Sequence, residues 1–270
     1  TLTPYRTFLE VKQPSSEFVF RIKDNSGAPA FMLVEAEGGL WRAEAMQNIK
    51  EYLTKSLEDI SDGKLYSEND MVKADTNSCR GCKSVCCHGM GKTIILDPYD
   101  IYQFAKVGIT MEELMSKAVE LNVADGVILP NLKMQEDGGK CFFLDENGRC
   151  SVHSNRPGIC RLFPLGRIYD DNDFKYFNQI YECPKKNKTK VRIDRWLGID
   201  NINKYHEYIV TWHYFLKDIQ HILEGMQDEK QIKTITMYLV KLFYLMPYDV
   251  NNEFYLQFTQ RINKVKEVIG

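Results

Sequence analysis

Eight cysteines are the residues of this chain whose type and spacing could do chemistry, and all lie between Cys79 and Cys183. They run Cys79-x2-Cys82-x3-Cys86-Cys87, then Cys141-x8-Cys150-x9-Cys160, then Cys183. Thiolates at C-x2-C or C-x3-C spacing sit on one turn and reach a common metal at roughly 2.3 Å, as zinc and iron–sulfur sites require. The stretch from Cys141 to Cys150 predicts a hairpin turning at Asn147-Gly148, which would set Cys141 and Cys150 side by side. Neighbouring side chains usually diverge. The Cys86-Cys87 pair is therefore expected to serve two centres, or to contribute one ligand and one outer or reactive thiol. An all-sulfur set suits zinc or iron–sulfur. The number of thiols exceeds what one structural zinc uses, which favours iron–sulfur. Neither the bacterial ferredoxin run nor the plant-type spacing is present, and C-x3-C-x2-C fails because Gly89 stands where the third cysteine would be.

Other polar residues are weighed against this set. Arg156 and Arg161 bracket Pro157 and Cys160 and are candidate cofactor-binding residues, as a fork for a carboxylate or phosphate. Tying loop carbonyls around the metal is the favoured alternative role. His88 and His153 lie beside cysteines, but the thiols already suffice as ligands. His206, His213 and His221 fall on one helix and read as surface or core residues. Gly89-Met90-Gly91-Lys92-Thr93 is not a phosphate loop, because Cys86 occupies the position of its first glycine. The run from Lys185 to Arg192 holds five cations and no acid and reads as a solvated loop.

These residues need elements to hold them. Phe18, Phe20 and Ile22 alternate as in a strand ending at Asp24-Asn25-Ser26-Gly27, and Phe31 to Val34 is its hairpin partner. Met46, Ile49, Leu53, Leu57 and Ile60 predict a helix from about Ala43 to Ile60. Asp97-Pro98 starts a helix that Gly108 ends. Thr110 and Glu113 form a capping box opening another helix to about Leu121. Residues 130–190 read as loop-rich with a hairpin. Ile202 to Leu223 form one helical stripe stopped by Gly225; Asp228 opens the next helix, up to Pro247, and a last one runs from about Asn251 to Ile269. The aromatic positions of residues 205–258 have helical spacing and belong to the core.

The fold class expected is mainly α with a small β contribution: a helical scaffold around an irregular, loop-rich cysteine metal-binding module. Residues 1–70 form an N-terminal strand and helix region, 71–192 the module, and 193–270 the C-terminal helices, together as one compact unit. Apolar residues make up 44% of the chain, enough for a core without disulfides. The 35 Lys and Arg nearly balance 37 Asp and Glu, a net charge of −2, which excludes a bulk nucleic-acid or membrane binder. The chain opens at Thr1 rather than Met, so something is expected to precede it. No apolar run reaches transmembrane length, and the cytoplasm is the expected compartment.

Four blocks together resemble a known family: Cys79 to Cys87, Gly139 to Asp145, Gly148 to His153, and Arg156 to Pro164. They are similar to the YkgJ-type cysteine-cluster proteins, the zinc- or iron-chelating CxxCxxCC family to which flagellin lysine-N-methylases are related. The first block departs from that pattern with three residues before the double cysteine, and His153 replaces a Tyr. The resemblance implies a bound metal or cluster on Cys79, Cys82, Cys86, Cys87, Cys141, Cys150, Cys160 and Cys183. It also implies an S-adenosylmethionine-dependent methylation of a protein substrate or partner, with no donor site visible in the sequence. A zinc-stapled interaction module without catalysis is the rival expectation.

Overall fold

The alternating run gives strand β1 (Glu17–Lys23), which pairs antiparallel with β2 (Pro29–Glu35), Phe20 opposite Met32, as expected. The computed structural model describes residues 17–23, 29–35, 57–75, 82, 84–90, 92–124, 126–135 and 139–269. Most of the helix expected from Ala43 lies outside them, and residues 57–60 are helical.

The chain divides into two compact units, one of Pro4–Ser67 with Pro164–Glu182, the other mainly of Glu68–Phe163 with Cys183–Gly270. The smaller unit contains β1 and β2, and also a second hairpin that was not foreseen. In it β6 (Leu165–Asp170) pairs with β7 (Asp173–Asn178). Asp171 and Asn172 take φ of 48° and 58°, the left-handed pair that a two-residue turn needs. Gly166 lets the ring of Phe177 lie across the strand, since a Cβ there would come within 2.2 Å of it.

In the larger unit, helix boundaries follow local capping chemistry. Helix α1 (Pro98–Lys106) and helix α2 (Met111–Lys117) each begin with a reciprocal capping box, Asp97 with Asp100 and Thr110 with Glu113. Helix α2 stops at Lys117 rather than near Leu121. Val119 begins strand β4 (Val119–Ala124), which pairs with β5 (Val127–Leu132), Val119 facing Leu132. Both side chains are buried, and a β-branched residue that buries itself across a ladder gains more there than in another helical turn. Leu96 and Leu132 donate backbone N–H bonds to Pro130 and Ile94, extending the ladder to residues 94–96. The cationic run is also not all loop: β8 (Thr189–Arg192) pairs with β3 (Met71–Asp75). Alternation in β8 leaves its charges outward while Val191 faces Val72, and Val72 is buried.

Helix α3 (Gly158–Leu162) and α4 (Ile193–Leu197) are short. Helices α5 (Ile202–Glu224), α6 (Glu229–Val240) and α7 (Phe254–Ile269) are the long ones, with a π-helical turn at Lys241–Leu245. Helix α7 begins at Phe254 rather than Asn251, because Asp249 binds Asn251 N–H and Asn252 Nδ2, at 2.9 and 2.6 Å, and makes a turn there. Their shared core is aromatic: Tyr208 lies 4.7 Å from Phe258 and Trp212 lies 5.0 Å from Phe243, centroid to centroid. Helix α1 joins this core, with Tyr99 at 5.1 Å from Phe254. The overall content is therefore helices with four small two-stranded antiparallel sheets among the described residues. No described helix is long and apolar enough to cross a membrane.

Candidate metal centre

The double cysteine is shaped by Ser84, which adopts a left-handed conformation (φ 55°) and starts a single 3-10 turn, Val85–Cys87. Cys87 N–H donates to Ser84 O at 2.8 Å and His88 Nδ1–H donates to the same carbonyl at 2.9 Å. A carbonyl only accepts, so this bond places the proton of His88 on Nδ1. Ser84 Oγ donates to Gly148 O, and Ser84 N–H donates to Cys82 Sγ at 3.3 Å. The tight turn has a consequence for the pair: Cys86 Sγ and Cys87 Sγ stand 3.8 Å apart, one thiol donating to the other. They do not diverge. Two sulfurs each about 2.3 Å from one tetrahedral ion stand about 3.8 Å apart, so both can serve a single ion.

The second cysteine segment is laid against the first by backbone bonds. Cys141 N–H donates to Cys87 O and Gly89 N–H to Gly139 O, both at 2.7 Å. Gln135 then clamps the loop beyond: its Nε2 donates to the carbonyls of Cys141, Phe142 and Leu144 at 3.4, 3.4 and 3.2 Å. The turn that follows differs from the expected one. Gly148 N–H bonds to Asp145 O at 3.0 Å, so Glu146 and Asn147 are central and Gly148 (φ 70°) takes the left-handed place after them. Leu144, not Cys141, pairs across the turn with Cys150. A two-residue Asn-Gly turn would have needed left-handed conformations at both positions, and only the glycine adopts one here.

The third segment is helix α3, carrying Cys160 and Arg161. Arg161 is buried, and its guanidinium donates to Ser154 O and, at 3.5 Å, to Leu197 O. Arg156 Nη1 donates to His153 O at 3.0 Å and lies 3.3 Å from both ring nitrogens of that histidine. The structure thus uses both arginines to hold chain segments around Cys150 and Cys160. Burial and the charge of Arg156 push the imidazole of His153 below its usual range and favour the neutral ring.

Residues 78–184 match a family model, CxxCxxCC, described as a putative zinc- or iron-chelating domain. The similarity to the CxxCxxCC family covers this stretch, less than half of the chain. No curated protein and no solved structure matches the chain.

Inside the CxxCxxCC domain, Cys86 and Cys87 are in contact, and Cys141, Cys150 and Cys160 lie near enough for the charges of these thiols to act on one another. Cys87 is held above its usual range by the hydrogen bond to Cys86, by burial, and by the nearness of Cys86, Cys141 and Cys160. Burial raises Cys141 as well, with Cys150 and Cys86 adding to it, while the Phe143 N–H bond opposes. Burial also raises Cys150, which Cys86 raises further and Arg156 lowers. Thiols brought this close repel as thiolates, and a soft dication is what relieves that repulsion. The donor set therefore fits zinc or iron. Among the described residues, no three His, Cys, Asp or Glu side chains are placed so that they could hold a metal ion together, and no disulfide joins the seven described cysteines. Cys79 lies outside the described residues. Cys82 stands beside the group through Ser84, whereas Cys183 is placed by its carbonyl, which accepts from Lys188 Nζ at 3.1 Å. Gln135 and Ser84 are the organising residues that sequence reading missed. Their partners lie far along the chain, and no spacing rule points to them.

Proposed function

We propose that the CxxCxxCC domain is a loop-rich cysteine module, gripped by helices, that holds an iron–sulfur centre in a protein-modifying, lysine N-methylase-like enzyme. The observation that carries the metal part is the convergence of Cys86, Cys87, Cys141, Cys150 and Cys160. Iron–sulfur is favoured by the number of thiols, which exceeds one four-coordinate ion's need. When bound, such a centre supplies electron transfer or an anchoring point for substrate. The chain's own part is to exclude water from Cys141, to hold the ligand loop by Gln135, to keep Arg156 near Cys150, and to brace the loop by Arg161. S-adenosylmethionine and a protein substrate are supported by the family resemblance; Arg156 and Arg161 are the residues proposed near that cofactor. A cytoplasmic location agrees with thiols kept reduced.

A second reading has its own support. The 3.8 Å separation of Cys86 and Cys87 suits one tetrahedral ion, so a structural zinc in an interaction module without catalysis is the alternative. Purification without air, followed by iron, zinc and sulfide analysis and a visible spectrum, separates the two. Iron with sulfide and a brown chromophore supports the first reading. Colourless protein with stoichiometric zinc overturns it in favour of the second, and oxidised thiols without metal overturn both.

A further inference from the structure

A helix that carries a metal ligand needs a fixed N-terminus before that ligand has a position. Helix α3 carries Cys160, yet its N-cap residue is Pro157, with no side-chain cap bond. The acceptor comes instead from 58 residues away: Asp100 Oδ1 accepts from Gly158 N–H at 2.7 Å. The other oxygen, Oδ2, accepts from Asp97 N–H at 2.9 Å within the capping box of α1. Asp100 is 1% exposed, so water does not compete for either bond. Gly158 makes the approach feasible. A Cβ there would lie 2.6 Å from Tyr205 Oη, 3.5 Å from Asp97 Oδ2 and 3.6 Å from Asp100 Oδ1, and Tyr205 is fully buried and cannot step aside.

We propose that Asp100 is a positioning residue for the metal centre: through Gly158 it fixes helix α3 and so presents Cys160 towards Cys87. This rests on the thiolate-centre reading above. Asp100 is not a ligand in this account; it supplies the cap that Pro157 lacks, from a carboxylate pinned at the first turn of another helix. An asparagine in its place keeps one acceptor but turns an amide N–H2 towards one of the two N–H donors, so one of the two bonds is lost.

The full chain, purified without air and titrated with cobalt(II), tests the proposal. Thiolate-to-cobalt absorption reports the number of sulfur ligands independently of affinity. Asp100→Asn is expected to weaken cobalt binding about 10-fold and to lower absorption per cobalt to the level of Cys160→Ser. Asp100→Asn added to Cys160→Ser should cost nothing more, because residues acting as one unit are not additive. Gly158→Ala should reproduce the loss, and Gly158→Ala with Tyr205→Phe should recover it by removing the clashing Oη; this pair decides the matter if Asp100→Asn does not fold. Wild-type affinity and absorption in Asp100→Asn, or fully additive losses, overturn the positioning role while the thiolate centre stands. A wild-type chain that takes up no metal overturns both.

Discussion

The C-terminal helices and the CxxCxxCC domain reach order by different physics. Helices α5, α6 and α7 bury aromatic rings against one another, and Phe243, Tyr244 and Phe254 are each at most 2% exposed. Even the buried cation there is used structurally. Arg261 donates to the carbonyls of Leu242, Met246 and Pro247 and stacks 3.5 Å from the Tyr248 ring centroid. The cysteine segments instead hold together by backbone bonds and by clamps such as Gln135. One region is stabilised by leaving water. The other gathers thiols that ionise readily only with a cation bound, so its stability is expected to depend on that cation.

The largest effect that separates the regions is metal removal. Chelator added to metal-loaded protein should strip amide-exchange protection from residues 84–90 and 139–162, while residues 202–269 keep theirs. Equal loss in both regions would break the contrast. Next in size is Phe243→Ala, which should cost ~3–5 kcal/mol in chemical unfolding without changing metal content per chain. Its ring packs on Trp212, Phe215 and Phe258.

The smallest effect concerns pH and sharpens the contrast further. Cys87, Cys141 and Cys150 have folded-state values above the ordinary thiol value of 9.0. In metal-free protein, the unfolded chain therefore loses these protons first as pH rises, so stability present below pH 9.0 declines above it. Metal-loaded protein should behave oppositely, since ligation requires thiolates and acid competes for them. Urea unfolding across pH for both forms checks the sign, and a metal-free domain that gains stability above pH 9.0 would contradict it.

Legibility in the sequence divides along the same line. Asp97-Pro98, Thr110 with Glu113, and Asp228 act on backbone groups within one turn, so the starts of α1, α2 and α6 were readable from neighbouring residues. The end of α2 was not, because the competitor for Val119 is Leu132 across a ladder. Nor was the fate of the cationic run, whose strand β8 exists through its pairing with Met71–Asp75. The cysteines announced a metal centre by type and spacing. Their geometry depends on Ser84 reaching Gly148, Gln135 reaching three carbonyls, and Asp100 reaching Gly158. Those are long-range bonds made by ordinary polar residues, which carry no local pattern to read.

The central claim is that thiols of the CxxCxxCC domain bind metal together. Metal K-edge X-ray absorption on protein purified without air addresses it directly. The account predicts a shell dominated by sulfur at about 2.3 Å, reduced in Cys87→Ser. A shell of oxygen and nitrogen donors, unchanged by that substitution, would contradict it.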